Sequence, residues 1–551
     1  MTRKRKLIVI VFISLASVVA FSFTSPAERY FEIAKNLDIF ATLFKEVNAY
    51  YVDEIDPDKL IRTGIDAMLG SLDPYTNYIP EDEIESFRTL TTGQYAGIGA
   101  LIGNLNGKVV ITMPYEKFAA NRAGLKIGDE LISVNDVNVQ GKSVPEISAL
   151  LKGQARTKVK VQVKRFSEPE PITFEFNREK ISLSNVPYFG VIDDAIGYIK
   201  LEDFTPGAGK EVANALKELK SKGAESVILD LRSNPGGLLS EAVNVSNVFI
   251  SKNKEVVSTK GKVVEWNKTY KTLNNPVDTQ IPLIVLINGG SASASEIVSG
   301  VVQDYDRGIL VGSKTFGKGL VQTTRPLTYN SQLKVTTAKY YIPSGRCIQA
   351  LDYAHRNEDG TVDKFADSLK SEFKTKKGRL VYDGAGLDPD LAVKGAFLSP
   401  IIVSLVSKGL VFNYATAFYY KNKDRITSPA FELTDADFND FKNWLKDKDY
   451  DYTTSVERTL ATLEKSAREE RYYGDISAEL KKLKVQVAHN KESDLETFKV
   501  EIKQILREEI VSREFFAKGS IKASFESDET IKTSVQLLKD RSRYNQFLAR
   551  Q

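Results

Sequence analysis

The chain has 551 residues, 42% of them apolar, with a formal net charge of +4, one cysteine and two histidines. That length accommodates three or four domains with several cores, and so small a charge leaves no nucleic-acid footprint. A lone Cys347 excludes an internal disulfide, and its RCIQ context lacks the spaced partners a zinc site needs.

Four basic residues, Arg3 to Lys6, precede a 17-residue apolar run at 7–23. This reads as an export signal or a signal anchor over 1–27, with the basic side cytoplasmic and the bulk of the chain periplasmic or otherwise extracytoplasmic. Residues 28–92 carry helical periodicity in FATLFKEVNAYYV and KLIRTGIDAMLGSL.

A second module spans 93–177. GQYAGIGALIG sets Gly97, Ile98 and Gly99 ahead of an apolar strand, where consecutive backbone N–H groups cradle a carboxylate. AGLKIGDELISVNDVNV follows, and then a capped helix over 143–151 with Pro145 in its first turn. This order resembles a PDZ domain. Such a groove adds a peptide strand to a sheet edge and captures a free C-terminus. Ile98, Leu101, Ile147 and Leu151 are candidates for its apolar pocket, and at least two of them are expected to serve the core instead.

Residues 178–395 hold the chemistry. Val227 to Leu231 form a mostly apolar strand, and Asn234, Pro235, Gly236 and Gly237 a turn whose glycines let a bare N–H face a ligand. Further on, 283–287 reads as a strand and GGSASASEIVSG at 289–300 as a tight turn entering a helix, with Ser293 at the helix start. Orphan N–H groups and the helix dipole at that point favour an alkoxide or oxyanion.

A serine nucleophile needs a base. His355 lies in polar AHRNEDG and His489 in a charged helical stretch, whereas Lys318 sits in TFGKGLVQ at 315–322 beside Phe316, Leu320 and Val321. To take a proton its pKa must fall from about 10.4 toward 7, a cost of roughly 4 to 5 kcal/mol that apolar burial supplies. If 317–324 is a strand, Lys318, Leu320 and Gln322 share one face, and Gln322 orients the amine.

These segments, with IGYIKLEDF, QDYDRGILVG and YYIPSGRCIQ, resemble the C-terminal processing peptidases, tail-specific serine proteases with a PDZ domain. The resemblance runs over about 37–393. It implies Ser293 as nucleophile, Lys318 as base 25 residues later and Gln322 four beyond, with an oxyanion hole from Gly236 or Gly237 together with Ala294. LDPYT at 72–76 departs from the family's LDPHS through Tyr75.

Beyond this, 396–551 shows charged residues at helical spacing, an amphipathic extension suited to dimerisation, adaptor docking or shielding of the site. The expected architecture is a multidomain mixed α/β serine-protease core with an inserted PDZ domain and helical N- and C-terminal regions. The expected function is endopeptidase action on exported proteins with free C-termini, without cofactor, metal or nucleic acid. The alternative is a non-catalytic PDZ scaffold.

Overall fold

The computed structural model describes residues 26–193, 195–353, 355–357, 361–364, 370–395 and 398–549. The basic and apolar segment expected to direct export therefore lies outside the described residues, apart from 26–27. Two compact units divide the chain, 1–78 and 79–551. In the first, helices span Pro26–Tyr50 and Pro57–Gly70. Asp56 caps the second by accepting from the amides of Asp58 and Lys59. Asp73 shapes the LDPYT turn by accepting from Tyr75 N–H (2.8 Å) and Thr76 N–H (2.9 Å), so position 75 follows a turn that its neighbour builds.

In the second unit the central sheet runs in the order Tyr188–Asp193, Ile196–Lys200, Ser226–Asp230, Leu283–Ile287, Ile309–Gly312, Leu391–Ala392. All neighbours are parallel except the first pair. Its central strands are apolar on both faces because both faces are covered. Val227, Leu229, Val285 and Ile287 point to helices Ala208–Ser221, Leu239–Phe249 and Ala294–Asp304, while Ile228, Ile284, Leu286 and Val311 meet Ile531, Leu537, Leu538 and Tyr544.

That second cover comes from the end of the C-terminal extension, which packs on the protease core. Helices Glu529–Lys539 and Arg541–Leu548 complete the sandwich, and the Tyr544 hydroxyl lies 2.9 Å from Leu283 N and 3.1 Å from Leu283 O. The apolar stripe looked amphipathic in isolation because its partner surface lies some 250 residues earlier in the chain. Between 400 and 524 the helices build a core of their own around Tyr414, Phe418, Phe441, Leu506 and Ile510. The apolar stretch at 399–411 is two helices, Pro400–Ser407 and Leu410–Asn422, parted at Gly409 (φ 65°).

The PDZ module is entered and left through paired strands, Gln94–Gly97 with Glu179–Ser182. Its sheet places Ala100–Leu105 at one edge, beside Lys108–Pro114. Helix Val144–Leu151 begins at a reciprocal capping box between Ser143 and Glu146. The module rests on the C-terminal helices: Phe166 stacks on Tyr420, and Lys518 pairs with Glu116 at 2.9 Å.

QDYDRG is tied to YYIPSGR through Arg346 and to a later segment through Arg379. Arg346 pairs with Asp304 at 2.8 Å and Arg379 with Asp306 at 2.6 Å, all four buried, which gives these segments a structural reason to exist.

Candidate active site

Ser226–Asp230 and Leu283–Ile287 are adjacent parallel strands, so the loops leaving their carboxyl ends meet at one edge of the sheet. Asn234 joins them. Its carbonyl accepts from Ala292 N–H (3.0 Å) and Ser295 Oγ (2.9 Å), its side-chain amide donates to Leu201 O (2.8 Å), and its Oδ1 accepts from Gly236 N–H (2.9 Å).

Ser293 is the N-cap of helix Ala294–Asp304 and has φ 56° and ψ −113°. That conformation is outside the regions open to L-residues without strain, and such strain persists only where the surroundings over-determine it. Here the determinant is Glu296. Its fully buried carboxylate accepts from Ser293 N–H (2.9 Å) and Lys318 N–H (2.9 Å) at Oε2, and from Gly317 N–H (2.7 Å) and Thr315 Oγ1 (2.6 Å) at Oε1. Burial pushes this carboxyl up to about 7, against the pull of the four donors.

A second tie comes from Tyr340, at the end of strand Gln332–Tyr341. Its buried hydroxyl donates to Lys318 O (2.6 Å) and lies 3.2 Å from Ser293 O. Ser293 and Lys318 are both half-buried.

The comparisons with known proteins agree with this layout. The model of peptidase family S41 matches residues 195–354, a PDZ model 110–165, and the model described as "Probable PDZ-protease, C-terminal helical domain" 401–538. The carboxy-terminal-processing protease of Bartonella bacilliformis is 35% identical over 346 residues, which cover 62% of this chain and 79% of that protein. The chain belongs to peptidase family S41. A probable CtpA-like serine protease of Staphylococcus aureus is 37% identical over 316 residues, 57% of this chain and 62% of the relative. Among solved structures, the photosystem II D1 C-terminal processing protease is 26% identical with a TM-score of 0.35, covering 64% of this chain and 92% of that one. The family assignment makes the protein a C-terminal processing protease, a serine-type peptidase carrying a PDZ domain.

Several expectations for this S41 peptidase change in detail. The strand begins at Leu320, so Lys318 sits in the loop before it rather than on its face. A register shift between Val321 and Gln322 then breaks the alternation, and the Gln322 amide donates to Thr336 Oγ1 at 3.1 Å. Of the two loop glycines, Gly236 (φ 99°) already gives its N–H to Asn234 and packs so closely that a methyl there would come within 2.8 Å of Ala294 N and Ser293 Cβ. Among the described residues, the amides of Gly237 and Ala294 make no hydrogen bond.

Three of the four pocket candidates belong to the PDZ core: Ile98 is 3% exposed, Ile147 0% and Leu151 4%, whereas Leu101 is 49% exposed. So small a domain needs the apolar side of its helix for itself. Gly97 is paired in its strand with Glu179, Ile98 O accepts from Ala120 N–H (2.8 Å), and Gly99 O accepts from Tyr115 N–H (2.9 Å). His355 is exposed and bound to Asp352.

The roles of Glu296 and Tyr340 do not emerge from the sequence reading. An available signal for Glu296 was the spacing S-x-x-E from Ser293, a capping pattern that returns a carboxylate to the turn before a helix.

Proposed function

We propose that this protease is an endopeptidase in which Ser293 is the nucleophile and Lys318 its general base. The observation that carries this reading is the shared carboxylate oxygen of Glu296, which fixes the backbones of both residues to one atom. In the reaction the neutral Lys318 amine takes the Ser293 Oγ proton as the oxygen attacks the scissile carbonyl. The amides of Gly237 and Ala294 receive the oxyanion, the lysine returns its proton to the leaving amine, and water then releases the acyl group. Gln322, its NH2 held by Thr336 Oγ1, orients the lysine through its remaining carbonyl oxygen.

Substrates are exported proteins chosen by their free C-termini. The edge strand Ala100–Leu105 and exposed Leu101 suit strand addition, and the turn at 97–99 offers backbone N–H groups to the terminal carboxylate. Residues 1–27 direct export or hold the enzyme at the membrane, leaving the catalytic unit in an extracytoplasmic space such as the periplasm. The C-terminal helices offer a surface for a homodimer or an adaptor.

Tail selection is tested with two peptides identical but for a free or amidated C-terminus. Losing a charge-assisted hydrogen bond costs about 1.5 to 3 kcal/mol, so the amidated peptide should bind roughly ten- to 150-fold more weakly. Equal binding and equal cleavage would remove tail recognition from the reading.

A further inference from the structure

The loop at 232–237, which carries the candidate oxyanion amides, is gripped from both sides. On the inner side, buried Asp230 accepts from Arg232 N–H (2.9 Å) and from the Arg232 guanidinium through Nε (3.0 Å) and Nη2 (2.7 Å), while Lys200 Nζ donates to Arg232 O (2.8 Å). Burial alone would raise the Asp230 carboxyl, but Arg232 and Lys200 outweigh it and hold the group down to about 2.

The outer grip comes from the C-terminal helical region. Asp528 Oδ1 caps helix Glu529–Lys539 by accepting from the amides of Thr530 (2.9 Å) and Ile531 (3.1 Å). Its other oxygen, Oδ2, meets Arg232 Nη1 at 2.7 Å. Both side chains are about four-fifths buried, where an ion pair is screened less than at a free surface. The helix that Asp528 begins is itself fixed to the sheet through Ile531, Leu537 and Leu538. Asp528 is therefore a rigid point that reaches the site from 296 residues further along the chain.

We propose that Asp528 is a positioning residue for peptide cleavage: by clamping the outer face of Arg232 it sets the loop that packs Gly236 against Ser293 and Ala294 and carries the Gly237 amide. This makes the C-terminal helical region part of the catalytic support rather than a covering. The inference rests on the peptidase reading above.

Three substitutions separate clamping from capping. Asp528→Asn and Asp528→Ser preserve the helix cap, since both residues cap well. Asn capping through its carbonyl turns an NH2 toward the guanidinium, and Ser is too short to reach it. Asp528→Glu keeps a carboxylate for Arg232 while fitting the cap poorly. A clamp predicts that Asn and Ser lower kcat about tenfold with KM within about twofold of the parent, and that Glu retains more activity than either. Amide hydrogen exchange across 233–237 should quicken in the Asn and Ser proteins while exchange in helix Glu529–Lys539 stays as in the parent.

Measurements use the full-length protein and one peptide with a free apolar C-terminus, with Ser293→Ala as control. Parent-like kcat in all three variants, or Asn and Ser intact with Glu alone impaired, overturns the clamp. Cleavage that survives Ser293→Ala overturns the peptidase reading itself, so the two failures are distinguishable.

Discussion

The backbone amides of Ser293 and Lys318 donate to the same atom, Oε2 of Glu296, each at 2.9 Å. The proposed nucleophile and base are thus registered against each other by one buried group. All eleven residues of helix Ala294–Asp304 are buried, and four protein donors satisfy the carboxylate.

Glu296→Gln should lower kcat by about a hundredfold or more while the protein stays folded. A carboxamide has one acceptor oxygen and turns its NH2 against two donors, and leaving buried donors unsatisfied costs about 1 to 3 kcal/mol each. Steady-state kinetics beside circular dichroism measure this; near-parent kcat would reduce Glu296 to a packing residue.

Tyr340→Phe removes one hydroxyl and keeps the buried ring. The expected result is a kcat about tenfold lower, KM little changed, and a stability loss of about 1 kcal/mol, because the hydroxyl donates to Lys318 O and lies beside Ser293 O. Unchanged kcat with the same stability loss would show the hydroxyl to be structural only.

The Glu296 carboxyl, raised to about 7 by burial, also links stability to pH. Between about pH 4.5 and 7 the folded protein holds a proton that the unfolded chain releases. Its contribution is therefore most favourable below about 4.5 and declines as pH rises through 7, by on the order of 3 kcal/mol. Thermal unfolding of the parent and of Glu296→Gln across pH 4.5 to 8 isolates this group as the difference between the two curves. Parallel curves would contradict the linkage.

How legible the molecule was in its sequence depends on the range of each interaction. Ser293 at a strand–turn–helix junction, the capping box at Ser143 and the apolar strands at 226–230 and 283–287 rest on neighbours within a few residues, and local periodicity reveals them. Glu296 was harder to see. It lies one turn into a helix and looks like an ordinary polar face until a loop about twenty residues later closes over it. The placement of Lys318 before its strand and the register shift at Gln322 come from the pairing with 332–341, which no spacing rule encodes. Asp528 meeting Arg232, and Tyr544 meeting Leu283, join the end of the chain to segments far earlier in it and leave no local signature at either position.

The pairing of Ser293 with Lys318 is tested most directly by cleavage of denatured casein with purified parent, Ser293→Ala and Lys318→Ala proteins, each first shown to be folded. Nucleophile and base act as one unit, so both substitutions should abolish turnover to a similar extent, by at least about a thousandfold. Substantial cleavage by either variant would contradict the assignment.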